Sequence, residues 1–129
     1  MSKQSSLTLI NMFIVTPQKQ QALLDLLAKV GESVMCRMPG FLSAHIYCGI
    51  DGTHVANRVE WRSREDFHRM LQHPETRQHI EEIHAITRGT PQLFELFTVI
   101  ESKTETVPQQ TSETVPLDLN VAISTNSRL

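Results

Sequence analysis

The stretch DGTHVANRVEW, residues 51–61, decides the fold because it joins a turn signal to an alternating strand. Asp-Gly is a strong hairpin signal, so we expect a strand on each side of it. Past the turn, one side of the chain carries Val55, Asn57, Val59 and Trp61, and the other side is mostly polar. The first side should face the core. Asn57 is the exception there, since a buried amide without partners costs about 1–3 kcal/mol.

Working outward, hydrophobic periodicity predicts three more strands and two helical regions. Thr16 is expected to cap the first helix, Ser63 and Asp66 to form a capping box for the second, and Gly89 to end its last segment. The predicted elements are a strand at 7–15, a helix at 16–38, a strand at 41–49, helical segments at 63–72 and 75–87, and a strand at 91–101. The order β-α-β-β-α-β predicts an α+β, ferredoxin-like fold.

The first and last strands carry apolar residues on both faces. In the first strand, Leu9 and Phe13 alternate with Met12 and Ile14. Helices cover only one face of a ferredoxin-like sheet, and the chain has no further helix for the other face. We therefore expect the sheet of a second copy to cover it, giving a homodimer in the form of a dimeric α+β barrel.

Composition restricts the class of partner. The 129 residues carry a formal net charge of −2, which argues against nucleic acid as a partner, and no apolar run is long enough to cross a membrane. The N-terminus lacks a signal-peptide core, so a cytoplasmic protein is expected. Cys36 and Cys48 have no metal-ligand spacing and are expected to be free thiols, and no metal site is predicted.

The composition changes near residue 103. Residues 1–102 are predicted to form the folded domain, and residues 103–129 a polar C-terminal arm with a short imperfect repeat. Within the arm, residues 117–123 alternate like a strand. They could dock on the sheet or belong to a disordered tail.

Three residues are candidates for a small-molecule site. If Asn11 and Asn57 both face the helices, their amides and the indole of Trp61 line one cavity between sheet and helices. An apolar pocket with a few placed polar groups is the usual form of such a site. The alternative is structural: each asparagine bonds a loop or the other asparagine, and Trp61 is core.

Four further residues complete the candidate set. Ile80, Ile83 and Ile86 are predicted to form the buried stripe of the last helix. His79 flanks this stripe and is a candidate base, although a surface position is also compatible with the helical period; for His84 a surface position is expected. His45 and Tyr47 share one face of the second strand and could exchange a proton with a ligand. Phe67 is included among the substrate-binding candidates.

The segments MPGFLSAHIY and DGTHVANRVEWRSREDF resemble the antibiotic biosynthesis monooxygenase superfamily, and the likeness extends over residues 7–101. In members that oxidise aromatic polyketides, the third-strand asparagine and tryptophan, here Asn57 and Trp61, bind the substrate. The resemblance implies a monooxygenase without metal, flavin or other cofactor. Such an enzyme oxidises a small aromatic substrate, an anthrone or dihydroquinone, to a quinone with O2.

The chain departs from that group at a second-strand histidine, which is Tyr47 here, and at a helix arginine, which is replaced near His79. A second branch degrades heme with a first-strand asparagine, a helix tryptophan and an iron-ligating helix histidine. Asn11 and His79 match the first and third of these, but Met70 stands at the tryptophan position. A non-catalytic ligand-binding protein of the same fold is a third alternative.

Overall fold

The computed structural model describes residues 6–104, and its compact unit ends at Phe97. In chain order the elements are β1 (Leu7–Ile14), α1 (Pro17–Ser33), a short 3₁₀ turn (Met35–Arg37), β2 (Phe41–Cys48), β3 (His54–Trp61), α2 (Arg64–Leu71), α3 (Pro74–Ile86) and β4 (Arg88–Phe94). The predicted α+β, ferredoxin-like order is confirmed.

The four strands form one antiparallel sheet in the order β2-β3-β1-β4. The central pair, β1 and β3, sets the register: Leu7 lies opposite Trp61, Asn11 opposite Asn57, and Phe13 opposite Val55. Because side chains alternate between faces, these residues leave the sheet on the same side. The three helices pack on that side, which is the face that alternation in residues 55–61 predicts for the core.

The core consists of two apolar clusters at opposite ends of β1 and β3. One cluster joins Leu7, Val59 and Trp61 to the α2 residues Phe67 and Met70. The other joins Phe13, Val15 and Val55 to Leu23 and Leu27 of α1, with Ile83 and Ile86 of α3 packed against it. The two asparagines lie between the clusters on the same face of the sheet.

A buried carboxylate fixes the entry to β2. Gly40 has a φ of +86°, and Asp66 lies so close to its Cα that a side chain at Gly40 would overlap the carboxylate. Asp66 accepts hydrogen bonds from Arg62 Nε at 2.9 Å and from Arg69 at 2.8 Å. Its carboxylate also accepts from the Ser63 hydroxyl, and its backbone N–H donates to Ser63 Oγ. The Arg62 guanidinium, then the Ser63 hydroxyl, hold the pKa of Asp66 below its ordinary value of 3.8.

The capping box is therefore present with one change. Ser63 Oγ accepts from the Asp66 backbone N–H as expected, but the carboxylate bonds the Ser63 hydroxyl and the arginines. We call the group formed by Gly40, Arg62, Ser63 and Asp66 the corner. It links the turn before β2 to the start of α2, because the Arg62 backbone N–H also donates to the Gly40 carbonyl at 2.7 Å.

The Asp-Gly hairpin between β2 and β3 is confirmed. Asp51 Oδ1 accepts from the Thr53 N–H at 2.8 Å, and Gly52 has a φ of +83°. From α1, Gln20 Nε2 donates to the carbonyls of Gly49 and His54, both at 3.0 Å. The hairpin is thus held against the helix layer.

One expected cap and two helix ends differ from the sequence prediction. Thr16 stands at the N-cap of α1, but its side chain makes no capping hydrogen bond, and α1 ends at Ser33 before the 3₁₀ turn. Gly89 does not end α3: the helix stops at Thr87, whose backbone is extended and whose hydroxyl donates to the carbonyl of Ile14. Gly89 instead lies inside β4, opposite Phe13.

β4 also begins earlier and ends earlier than predicted. It pairs with β1 from Arg88 to Phe94, whereas the sequence pattern favours 91–101. Pro91 lies inside the strand and does not start it, since a proline is tolerated within an edge strand, where its missing N–H leaves no neighbour unpaired. Beyond the strand, Phe97 is 95% exposed.

The sheet face opposite the helices carries exposed apolar side chains. Met12 and Ile14 of β1 are 44% and 64% exposed, and Tyr47 and Phe94 are exposed on the same face of the sheet. The apolar second face expected from the sequence is present, and the homodimer stays a prediction.

None of the described helices has the length and apolar content needed to cross a membrane. Cys36 and Cys48 are free and exposed. The arm predicted at 103–129 lies almost wholly outside the described residues, as does the strand predicted at 117–123.

Candidate functional site

A cavity of about 340 Å³ lies between the sheet and the three helices. Most of its wall is apolar, and all four strands and all three helices contribute to it. The lining includes Asn11, Phe41, Asn57, Trp61, Phe67, Thr76, Ile80, His84 and Pro91. A cavity of this size and composition fits a small, largely apolar ligand.

The asparagine pair forms part of the sheet-side wall. Asn11 and Asn57 are direct cross-strand partners, and β4 places Pro91 on the other side of Asn11. Neither carboxamide oxygen has a hydrogen-bond partner, although both are buried. The two amides therefore do not bond each other through these oxygens, and no described loop residue bonds them.

Trp61 forms the end of the cavity next to α2. The side chain is fully buried, and its ring makes edge contacts with Phe41, at 5.6 Å between centroids, and with Phe67, at 6.4 Å. These contacts fix the plane of the indole. Its Nε1–H, which can only donate, has no acceptor.

Thr76 supplies a fourth polar group, from α3. It is 1% exposed, and its hydroxyl has no partner. Among the described residues, five buried side-chain N or O atoms lack a partner; four belong to the cavity wall, and the fifth is Arg58 Nε. Since unpartnered buried polar atoms are rare, their concentration at one cavity indicates a site for a polar ligand.

Gly89 makes room for one of the asparagines. A Cβ at Gly89 would lie 2.6 Å from Asn11 Oδ1 and 2.8 Å from the Phe13 ring. The absence of a side chain there lets β4 approach Asn11 closely. The glycine thus positions the amide rather than ending a helix.

The structure brings Asn11, Asn57, Trp61 and Phe67 to one cavity, but it does not bring the other three candidates there. His79 is not among the lining residues; it is half-buried on α3, with its Nδ1 2.9 Å from Glu82 Oε1. His45 and Tyr47 leave β2 on the face opposite the helices, where their rings stack at 6.5 Å. The expected contact of His45 and Tyr47 with a ligand is not supported at this cavity, because Ala44 and Ile46 occupy the cavity side of β2.

Sequence reasoning missed two lining residues, Thr76 and His84. Both follow from the helical period: Thr76, Ile80 and His84 are spaced by four residues and share one face of α3. Ile80 belongs to the predicted buried stripe, so the same spacing extended in both directions could have found them.

Heme binding through His79 does not fit this geometry. The first-strand Asn11 lines the cavity, but His79 is not among the lining residues, and its Nδ1 contacts Glu82. A protein-ligated metal ion is a separate question: among residues 6–104, no group of three or more histidine, cysteine, aspartate or glutamate side chains is arranged to hold one.

Comparison with known proteins gives a consistent result. The sequence profile described as antibiotic biosynthesis monooxygenase matches residues 6–82, which is more than half of the chain. The chain is 39% identical over 84 residues to tetracenomycin-F1 monooxygenase of Streptomyces glaucescens, covering 65% of this chain and 75% of that protein.

Two solved structures share the fold. The ActVA-Orf6 monooxygenase of Streptomyces coelicolor, in complex with nanaomycin D, superimposes with a TM-score of 0.68 at 19% identity, covering 77% of this chain and 93% of the other. A variant of SnoaB, a cofactor-independent oxygenase of Streptomyces nogalater, gives 0.63 at 21% identity, covering 78% and 98%.

Proposed function

The chain belongs to the antibiotic biosynthesis monooxygenase family, and we propose that it oxidises an aromatic polyketide or a related dihydroquinone with O2 and without a cofactor. The relative from Streptomyces glaucescens is named for tetracenomycin F1, which supports a substrate of the polycyclic aromatic class. The identity of the substrate is part of the proposal.

The observation that carries the proposal is the set of unpartnered polar atoms in the cavity wall. Among the unpartnered atoms, the Asn11 and Asn57 oxygens accept, Trp61 Nε1 donates, and the Thr76 hydroxyl can do both. A hydroxylated aromatic ketone offers the complementary set, since its hydroxyls donate and its carbonyl or phenolate accepts. The surrounding apolar wall suits the rings.

The chemistry requires an electron-rich anion of the substrate. Once deprotonated, an anthrone or dihydroquinone can pass an electron to O2, and the two radicals then combine on the ring. In a site with little water, hydrogen bonds from Asn57 Nδ2 and Trp61 Nε1 would stabilise the anion more than they do in water. The cavity would also hold the ring in one orientation towards O2.

Oxygen uptake tests the proposal. The purified chain, with no cofactor added, is given a panel of anthrones and dihydroquinones, and uptake is compared with the spontaneous rate. We expect uptake above that rate, and we expect Asn57→Ala to reduce it about 100-fold or more, as for loss of one donor to a developing anion. Gln78→Ala, which removes an exposed amide from α3, is the matched control and should keep the wild-type rate.

The two remaining outcomes contradict parts of the proposal. Thermal stabilisation by the panel compounds without oxygen uptake would show a binding protein rather than an oxygenase. Uptake that is the same in wild type and Asn57→Ala would remove the asparagine from the mechanism.

The homodimer forms a second part of the proposal. The apolar sheet face around Met12 and Ile14 is exposed, and no described helix covers it. A second copy buries such a face against an identical one by two-fold symmetry. We expect light scattering at micromolar concentration to give the mass of two chains and Met12→Arg to give the mass of one. A monomeric wild type would refute the dimer.

A further inference from the structure

His84 is the single ionisable side chain among the described residues that line the cavity. The other lining residues are apolar, or carry amide, indole or hydroxyl groups. A reaction that begins by removing a proton from the substrate therefore has one side chain in this wall of a type that serves as a general base.

Position on α3 makes His84 suitable for that step. Thr76, Ile80 and His84 follow one face of the helix, so the stripe runs along the cavity from the buried Thr76 to the exposed His84. Eight residues of helix rise about 12 Å, close to the length of a three-ring aromatic system. One side of His84 therefore meets the cavity, while solvent can exchange its proton.

The ring of His84 is also uncommitted. No hydrogen bond or ion pair joins it to another described residue, whereas Nδ1 of His79 on the same helix contacts Glu82 Oε1. The elements packed against α3 contribute apolar residues to the cavity wall, including Leu27 of α1, Met70 of α2 and Pro91 of β4. Charged residues within four positions of His84 in sequence are Glu81, Glu82 and Arg88.

We propose that His84 is the general base of the oxidation, and this proposal rests on the function proposed above. For an anthrone, His84 takes one proton from the ring methylene, and the carbanion gives one electron to O2. The carbon radical and superoxide combine, and protonated His84 returns the proton to form the hydroperoxide. Loss of the second C–H proton to His84 breaks the O–O bond, so the carbon becomes a carbonyl, and the departing hydroxide takes that proton and leaves as water. In sum, one ring methylene and one O2 give one ring carbonyl and one water.

Three variants test this assignment by oxygen uptake with the substrate that the wild type turns over. We expect His84→Gln to lower kcat/KM about 100-fold, as for removal of a general base. The increase in rate across the range in which histidines lose their proton, about pH 5 to 8, should disappear with it. His79→Gln tests the neighbouring histidine outside the cavity and should retain both the rate and the pH profile.

Rescue separates proton transfer from a structural contribution. Imidazole added to the third variant, His84→Ala, should restore turnover in proportion to the concentration of its neutral form, because the exposed position leaves an open path for it. A melting temperature of each variant close to that of the wild type would show that the fold is intact.

The outcomes separate the two proposals. If the wild type consumes oxygen, Asn57→Ala fails to do so, and His84→Gln equals the wild type, the function stands and the base assignment is wrong. Loss of activity in His79→Gln, with His84→Gln unaffected, would also overturn the assignment of His84 as the base. If the wild type consumes no oxygen with any compound of the panel, both proposals fail together.

Discussion

Replacing Asn57 by leucine should stabilise the protein while it abolishes turnover. Leucine has the same number and branching of side-chain heavy atoms as asparagine but carries no polar atom. In the wild type the buried Asn57 oxygen has no partner, and an orphaned polar group costs about 1–3 kcal/mol. The change breaks no hydrogen bond to that oxygen, so nothing offsets the removal of this cost. We expect a gain of at least about 1 kcal/mol, which for a domain of this size raises Tm by about 4–8 °C.

Thermal and urea denaturation, monitored by circular dichroism, measure the effect. Val55→Thr is the matched control, because Val55 lies two residues away on the same face of β3 and is fully buried. That change keeps the shape but adds a hydroxyl without a partner. We expect it to lower the free energy of unfolding by about 1–3 kcal/mol, opposite in sign to the change at Asn57.

A loss of stability in Asn57→Leu would refute the reasoning. It would mean that the carboxamide is satisfied in the folded protein and has a structural function. A gain in stability with unchanged oxygen uptake would support the unpartnered oxygen but remove Asn57 from the reaction.

Three further changes test the surrounding structure. The Arg62 guanidinium holds the pKa of Asp66 below 3.8, so the ionised carboxylate stabilises the fold above that pH and this stabilisation is lost as the pH falls. Asp66→Asn should therefore lose less Tm than the wild type between pH 5 and pH 3. An equally steep loss in the variant would contradict this. Gly89→Ala should destabilise by about 1–3 kcal/mol in urea, because the new methyl group displaces Asn11, whereas Gly31→Ala, which meets no atom within 4 Å, should not. Gly40→Ala should lower Tm through its positive φ and its contact with the carboxylate, and an unchanged Tm would show that the corner can rearrange.

The sequence predicted β1, β2 and β3 to within a residue because each has a clear two-residue period. It failed at β4, where Gly89 and Pro91 resemble boundaries but lie inside the strand. Both residues are compatible with an edge strand that pairs on one side only, and sequence pattern alone cannot show that a strand lies at the edge.

For the site, the sequence predicted which face of β3 carries the candidate residues. Alternation placed Asn57 and Trp61 on the core side, but the pairing of Asn11 with Asn57 depends on strand register, which no local pattern fixes. The surface position expected for His84 is correct, yet the residue also lines the cavity. A residue at the rim of a cavity is exposed and in the site at once, so a division into buried and exposed residues does not detect it.

The separation of the core into two clusters has a consequence for amide hydrogen exchange. With the cavity empty, few apolar contacts join the cluster around Trp61 to the cluster around Phe13, so we expect their amides to exchange through separate openings. A ligand that fills the space contacts both and should make them open together. Slower exchange at both ends of β1 and β3 on adding a compound would therefore identify a compound that occupies the whole cavity, before any turnover is measured.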